Sequence, residues 1–167
     1  KEIMNINITL YLLCFSLVSY GQKDLKSLLD KYNTGSIPYI SVQELAMPKT
    51  NAIILDTREQ KEYETSHIKN AIFVGYNKFD LNTLKETIQD KTSKIVVYCS
   101  LGIRSENIAE KLKKEGYTNI FNLYGGIFEW KNNDYIIYNK DNHPTEDVHV
   151  FSKEWSKWLL KGNKVYD

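Results

Sequence analysis

The stretch IVVYCSLGIRSE, residues 95–106, contains the clearest strand signal in the chain and its most informative cysteine. Ile95 to Tyr98 is a continuous run rich in β-branched side chains, which is typical of a strand covered on both faces. From Ser105 to Glu115 the apolar side chains recur at helical spacing, and Gly116 is a suitable C-cap. The stretch therefore predicts a buried strand, a short loop and a helix, with Cys99 where the strand ends.

Short apolar runs alternate with helical segments on both sides of this stretch. The other predicted strands are Tyr39–Ile40, Ala52–Leu55, Ala71–Val74 and Ile120–Leu123. Helices are predicted at residues 23–32, 41–47, 58–66 and 81–89, and after Gly125. This alternation is typical of an α/β domain with a largely parallel sheet. Sites in such sheets form at the carboxyl ends of strands, where the segments DTRE (56–59) and CSLGIRS (99–105) fall.

The residues after Cys99 favour a nucleophile over the structural alternative, a buried core cysteine. We expect the loop from Ser100 to Ser105 to direct backbone N–H groups toward the sulfur, next to the positive end of the following helix. Gly102 allows the tight backbone that such a cradle needs, and Arg104 adds a fixed positive charge. These features favour the thiolate and lower the pKa of a cysteine.

These motifs resemble those of single-domain rhodaneses, the thiosulfate sulfurtransferase family. LDTREQKEYETSHIKNAIFV (55–74) is similar to the family's Asp-x-Arg…His-Ile…Ala-Ile segment. VVYCSLGIRSENIAEKLKKEGYTNIFNLYGGIFEWKN (96–132) is similar to its active-site loop, following helix and Gly-Gly-x-x-x-Trp ending. The similarity covers Ile37 to Tyr135, about three fifths of the chain, and departs at Ser66, where the family usually has Gly. It implies a rhodanese-like α/β fold, with a central, mostly parallel five-stranded sheet and helices on both faces.

The resemblance implies a sulfurtransferase that acts by covalent catalysis. Cys99 would attack the outer sulfur of a donor such as thiosulfate, release sulfite and carry a persulfide to a nucleophilic acceptor, either cyanide or a thiol. This chemistry needs no metal and no organic cofactor. The residues expected to bind the substrate are those of the loop: Ser100, Leu101, Gly102, Ile103, Arg104 and Ser105.

Three other functions use the same loop. A persulfide carrier or sulfur-sensing module would pass sulfur to a protein thiol with little free turnover. An inactive binding domain is disfavoured because Cys99, Gly102 and Arg104 are all present. Phosphatases that resemble this fold need Cys-x5-Arg to surround a phosphate, whereas the spacing here is Cys-x4-Arg, the length that suits sulfur transfer.

Supporting residues are expected beside the loop. We expect Asp56 to hydrogen-bond backbone at the strand end, with Glu59 nearby. Arg58 either faces the pocket or pairs with a carboxylate such as Glu62, and we favour the pair. His67 is interpreted as structural, because a thiolate activated by its loop needs no base. The two histidines of the tail, His143 and His149, are assigned no role.

Composition and the N-terminal segment limit the domain count, the classes of partner and the location that we expect. The 167 residues suffice for one domain, and the net charge of +1 gives no reason to expect a nucleic-acid or anionic-membrane partner. Ile8 to Val18 is too short to be a good bilayer span of roughly 20 residues, but it suits the apolar core of a signal peptide cleaved before Gln22. The alternatives are an apolar helix packed on the domain and, less favoured because of Leu13, a lipid anchor at Cys14.

The predicted organisation follows from these segments. We expect a signal peptide (1–21), an N-terminal helix and linker (22–36), a rhodanese-like domain (37–135) and a C-terminal extension (136–167). The signal peptide predicts an exported, periplasmic or secreted protein. Within the extension, residues 139–149 are interpreted as a loop, and SKEWSKWLL (152–160) as a closing helix that packs Trp155 and Trp158 on the domain.

Overall fold

The computed structural model describes residues 24–167. The predicted signal peptide, its cleavage site and Cys14 lie outside these residues. Residues 24–32 are helical (α1), as predicted, and belong to a first compact unit that ends at Thr34. The second unit runs from Gly35 to Asp167 and holds the sheet and the candidate site.

Five strands form one sheet in the second unit. They are β1 (Tyr39–Ile40), β2 (Ile53–Asp56), β3 (Ile72–Phe73), β4 (Ile95–Tyr98) and β5 (Ile120–Leu123). Their order is β1-β5-β4-β2-β3, and every neighbouring pair is parallel. The predicted α/β fold with a five-stranded, mostly parallel sheet is confirmed, and the sheet is in fact parallel throughout.

Helices connect the parallel strands, as crossover connections require. They are α2 (Val42–Ala46), α3 (Gln60–Thr65), α4 (Leu81–Thr87) and α5 (Ile103–Lys114), and a further helix, α6 (Gly126–Asn132), follows β5. Ser41 caps α2: its side chain accepts the Glu44 N–H at 3.1 Å. Helix α5 begins two residues earlier than its periodicity indicated, and this places Arg104 in its first turn.

The core lies between the central strands and α5. All four residues of β4 are buried, as its β-branched run predicted. On α5, the apolar face consists of Ile108, Ala109 and Leu112, and each is fully buried. Burial of this kind stabilises the fold by about 25 cal/mol per Å² of apolar surface. The core therefore holds β4 and α5 together on either side of the Cys99 loop.

The extension contains more strand than its sequence suggested. β6 (Ile137–Tyr138) pairs with β7 (Pro144–Thr145), and β8 (Asp147–His149) pairs with β9 (Asn163–Val165). The interpretation of residues 139–149 as a loop is therefore wrong in part. Each strand is only two or three residues long, and β8 and β9 are far apart in sequence. Neither pair therefore shows the local alternation of apolar and polar residues from which a strand is predicted.

The predicted closing helix is a single 3₁₀ turn, Trp155–Trp158. Asn132 prevents a longer helix, because its side chain accepts the Leu160 N–H at 2.7 Å and donates to the Trp158 carbonyl at 2.9 Å. These bonds direct the backbone away from helical geometry. Both tryptophans are half-buried, and Leu159 is fully buried.

Within residues 24–167, no helix has both the length and the apolar character needed to cross a membrane. The same part of the chain contains no cluster of His, Cys, Asp and Glu side chains with the geometry of a metal site.

Candidate active site

Cys99 directly follows β4 at the carboxyl end of the sheet, where the sequence placed it. Only 2% of its surface is exposed. The Gly102 N–H donates to Cys99 Sγ at 3.1 Å. Gly102 is the N-cap of α5 and has a φ of 106°, in the left-handed region that glycine adopts at low cost. The sulfur therefore lies at the end of a helix whose first N–H groups have no acceptors within the helix.

The environment of Cys99 favours the thiolate. Burial alone would raise the pKa of the thiol, but the charge of Arg104 and N–H groups of Ser105 and Gly102 lower the pKa below its ordinary value. The Ser105 hydroxyl has a single proton, which it donates to Asn122 Oδ1 at 2.7 Å. Of the two donors of Ser105, the backbone N–H is therefore the one that stabilises the sulfur.

Asn122 holds the other side of the loop. This residue of β5 is fully buried, and its Nδ2 donates to the Gly102 carbonyl at 2.7 Å. Its Oδ1 accepts a hydrogen bond from the Ser105 hydroxyl. One side-chain amide therefore bonds both the N-cap residue of α5 and a residue of its first turn. Sequence reasoning missed Asn122. The sequence did contain one indication of its role, a polar side chain inside a strand whose other buried residues are apolar. A buried polar group needs hydrogen-bond partners, so such a residue is expected to bond a neighbouring segment.

The start of α6 holds the loop from a second direction. The Ile127 N–H donates to the Cys99 carbonyl at 3.0 Å, and the Phe128 N–H to the Ser100 carbonyl at 3.2 Å. A Cβ on Gly126 would lie 2.3 Å from the Cys99 carbonyl oxygen. Only glycine permits this approach, which gives a physical reason for the second glycine of the Gly-Gly-x-x-x-Trp motif.

Arg104 is bound to a buried carboxylate. Its Nη1 and Nη2 donate to the two oxygens of Glu62, each at 2.7 Å. Ser100 joins the pair: its hydroxyl donates to Glu62 Oε1 at 3.1 Å and accepts from Arg104 Nη2 at 3.0 Å. Burial opposes ionisation of Glu62, but Arg104 holds its pKa below the ordinary value. Sequence reasoning named Glu62 only as a partner for Arg58, and its actual partner is Arg104.

A second buried ion pair joins Asp56 and Arg58. Arg58 Nη2 donates to Asp56 Oδ2 at 2.6 Å and to the Ser66 carbonyl at 2.5 Å. The Tyr98 hydroxyl also donates to Asp56 Oδ2 at 2.6 Å. The predicted pairing of Arg58 with a carboxylate is therefore observed, but with Asp56 and not with Glu62. Asp56 accepts one backbone N–H, from Arg58, as expected at a strand end.

The remaining predicted residues divide between the loop and its surroundings. Leu101 is a buried residue of the loop, and Ile103 is the half-buried first residue of α5, where the loop ends. Glu59 is the N-cap of α3 and forms a capping box with Glu62. The His67 ring stacks on Tyr63 with centroids 4.2 Å apart, and its Nδ1 is 3.1 Å from the Tyr63 carbonyl oxygen. These contacts agree with a structural role.

The site as a whole combines a cysteine whose pKa is lowered, N–H groups that converge on its sulfur and one fixed positive charge. Such an arrangement can attack an electrophilic atom and hold the resulting anion on the sulfur. Asn122 and the start of α6 bond the backbone of the Cys99 loop and hold its N–H groups in place.

Comparisons with known proteins identify the family that the chain resembles. A family model described as a rhodanese-like domain matches residues 41–133. The chain is 32% identical over 112 residues to the thiosulfate sulfurtransferase GlpE of Coxiella burnetii, with 67% of this chain and 92% of that protein covered. It is also 38% identical over 97 residues to a tRNA uridine(34) hydroxylase of Aster yellows witches'-broom phytoplasma, of which the alignment covers 32%.

A solved structure shares the fold. The rhodanese-related protein of Thermoplasma volcanium superposes with a TM-score of 0.51 at 27% identity, over 60% of this chain and 96% of that one. The family match ends at residue 133, so the whole extension (136–167) lies outside it.

Proposed function

The chain belongs to the rhodanese-like family, and we propose on this basis that it is a sulfurtransferase that carries sulfane sulfur on Cys99. The donor is a small sulfur compound such as thiosulfate, and the acceptor is cyanide or a thiol. The thiosulfate sulfurtransferase among its relatives supports this substrate class.

One observation carries the proposal: Cys99 Sγ accepts the Gly102 N–H at 3.1 Å inside a loop that places Arg104 five residues after the cysteine. This loop is one residue shorter than the Cys-x5-Arg loop of phosphatases. A shorter loop encloses less space, so it suits one sulfur atom better than a tetrahedral phosphate. The lowered pKa of Cys99 supplies the nucleophile.

The first half-reaction transfers one sulfur atom. The Cys99 thiolate attacks the outer sulfur of thiosulfate, a new S–S bond forms, and the old S–S bond breaks with its electron pair leaving on sulfite. The charge of the persulfide stays on its outer sulfur, where Arg104 and the loop N–H groups stabilise it. In the second half-reaction cyanide attacks that outer sulfur, thiocyanate leaves, and the Cys99 thiolate is restored.

Intact-mass spectrometry tests the proposal directly. The purified full chain is incubated with thiosulfate, and we expect a mass gain of one sulfur atom on Cys99 that cyanide removes. Steady-state thiocyanate formation then separates the sulfurtransferase from the carrier alternative. A persulfide that forms without appreciable turnover would favour a carrier whose acceptor is a protein thiol, and a phosphate ester should give no product.

A further inference from the structure

Phe151, from the extension, lies over the Arg104 guanidinium. The ring centroid is 4.8 Å from Arg104 Cζ, within the range of a cation–π contact. Glu62 bonds the edge of the same guanidinium through both terminal nitrogens. Arg104 is therefore held on its edge by α3 and on one face by a residue that lies outside the family match.

The backbone of Phe151 is held in an unfavourable conformation. Its φ is 62°, in the left-handed region that bulky residues avoid, and the Ser152 N–H donates to the Val150 carbonyl at 2.6 Å to close a tight turn. Strain of this kind is unfavourable and persists only where the surrounding structure enforces it. The contact with Arg104 is one consequence of this turn.

Neighbouring residues enforce the turn. The Phe151 N–H donates to His149 Nδ1 at 3.2 Å, and the Val150 N–H donates to the Val165 carbonyl at 3.0 Å. Because Nδ1 of His149 accepts, the proton of a neutral ring lies on Nε2, which is 3.2 Å from Asp167 Oδ1. The β8–β9 pair and this chain of bonds fix the backbone from which the Phe151 ring projects.

We propose that Phe151 is a positioning residue: its ring holds the Arg104 guanidinium in the orientation that directs its charge at the Cys99 sulfur. The extension thereby completes the active site. Phe151 is 52% exposed, although burial of an apolar side chain is favourable, so core packing alone does not account for its position. This inference rests on the proposed function, since it takes Cys99 as the nucleophile.

The charge of Arg104 reaches the sulfur, and burial of the guanidinium strengthens that effect. Arg104 is the main charged group that lowers the pKa of Cys99. The phenyl ring excludes water from one face of the guanidinium, and a charge acts more strongly where the dielectric is low. Loss of the ring would let Arg104 move and become hydrated, so less thiolate would form at a given pH.

The experiment measures iodoacetamide alkylation of Cys99 against pH, with peptide mass spectrometry to separate Cys99 from Cys14. Alkylation requires no sulfur transfer. The variants are Phe151→Ala, Phe151→Leu and Phe151→Tyr, and the control is Leu160→Ala, an apolar residue of the same extension that is 78% exposed. Circular dichroism and thermal unfolding check that each variant folds.

We expect Phe151→Ala and Phe151→Leu to slow alkylation below the midpoint pH by about twofold to fivefold, the factor that corresponds to a cation–π contact of ~0.5–1 kcal/mol. Phe151→Tyr should restore the wild-type profile, and Leu160→Ala should not change it. A superimposable profile for Phe151→Ala would overturn the proposal. Faster alkylation at every pH would also overturn it, because the ring would then act only as a cover.

The two proposals fail separately. If the unsubstituted chain transfers no sulfur while Phe151→Ala still slows alkylation, the sulfurtransferase proposal fails and the positioning role of Phe151 stands. If sulfur transfer is found but the alkylation profiles coincide, the function stands and the positioning role fails.

Discussion

Arg104 and Glu62 form a two-point ion pair, Nη1 to Oε2 and Nη2 to Oε1, both at 2.7 Å, next to the Cys99 loop. The pair has two opposing effects. Glu62 fixes the guanidinium and also offsets part of the positive charge that stabilises the Cys99 thiolate. The site therefore depends on the exact placement of Arg104 and not only on its presence.

Replacing the nucleophile is the first test. Cys99→Ser should abolish thiocyanate formation and the persulfide mass gain, because a serine hydroxyl is not ionised at neutral pH. The cysteine is buried but small, so the fold should survive, with a change in thermal midpoint of a few degrees. Cys14→Ser is the matched control and should retain activity. Persulfide formation in Cys99→Ser would contradict the assignment.

Removing the fixed charge should change the pH dependence. In Arg104→Ala the pKa of Cys99 should rise, because the positive charge that helps to lower it is removed. The thiolate is the reactive form, so the rise of activity with pH should occur at a higher pH in the variant than in the unsubstituted chain. Activity at neutral pH should fall by about tenfold or more. Lys114→Ala, at the far end of α5, controls for loss of a positive charge. Identical pH profiles would show that the N–H groups suffice.

Replacing Glu62 should separate stability from reactivity. Glu62→Gln leaves Arg104 without its buried partner and should destabilise the fold by about 2–3 kcal/mol, below the ~3–5 kcal/mol of a fully buried pair because 17% of the Arg104 side chain is exposed. The loss of a negative charge should at the same time lower the pKa of Cys99 further. Glu44→Gln, which breaks an exposed pair with Lys94, should change stability by less than about 1 kcal/mol.

The same variant makes a prediction about acid stability. The pKa of Glu62 is lowered in the folded chain, so its stabilisation is complete above the unfolded value of about 4.3 and is lost as the pH falls through the folded value. Glu62→Gln should therefore show a smaller loss of stability on acidification. Urea unfolding at several pH values measures this difference, and parallel curves for both proteins would contradict it.

The close approach at Gly126 predicts a strong effect of one added methyl group. In Gly126→Ala the Cβ would meet the Cys99 carbonyl oxygen at 2.3 Å, so the loop must shift. We expect destabilisation by more than about 2 kcal/mol and a loss of activity of at least tenfold. Gly35→Ala has a similar positive φ but nothing within 4 Å of its Cβ, so it isolates the cost of the backbone conformation. Equal effects of both variants would mean that the contact is unimportant.

The local features of the site could be predicted from sequence because neighbouring residues determine them. The β-branched run of β4 and the spacing of Cys99, Gly102 and Arg104 are contiguous. The true start of α5 was less accessible, because the left-handed Gly102 begins the helix before its apolar periodicity is visible.

The partners of these residues could not be predicted in the same way. Glu62 and Asn122 lie 42 and 17 residues from their partners Arg104 and Ser105, and the fold alone brings them together. The strands of the extension depend likewise on pairing between distant segments, as β8 with β9. Export also stays a prediction, and mass spectrometry of secreted or periplasmic protein should find an N-terminus near Gln22 if it is correct.

The bonds from Ile127 and Phe128 to the carbonyls of Cys99 and Ser100 have a consequence for turnover. Neither bond involves the sulfur, so in the proposed reaction both would restrain the loop whether or not the sulfur carries a second atom, and the N–H groups would point the same way in both half-reactions. The conformational entropy of ordering these groups is then lost once, when the chain folds, and not again in each catalytic cycle. Under the proposed function, a restrained loop of this kind would let the chain alternate between thiolate and persulfide without rebuilding its donors.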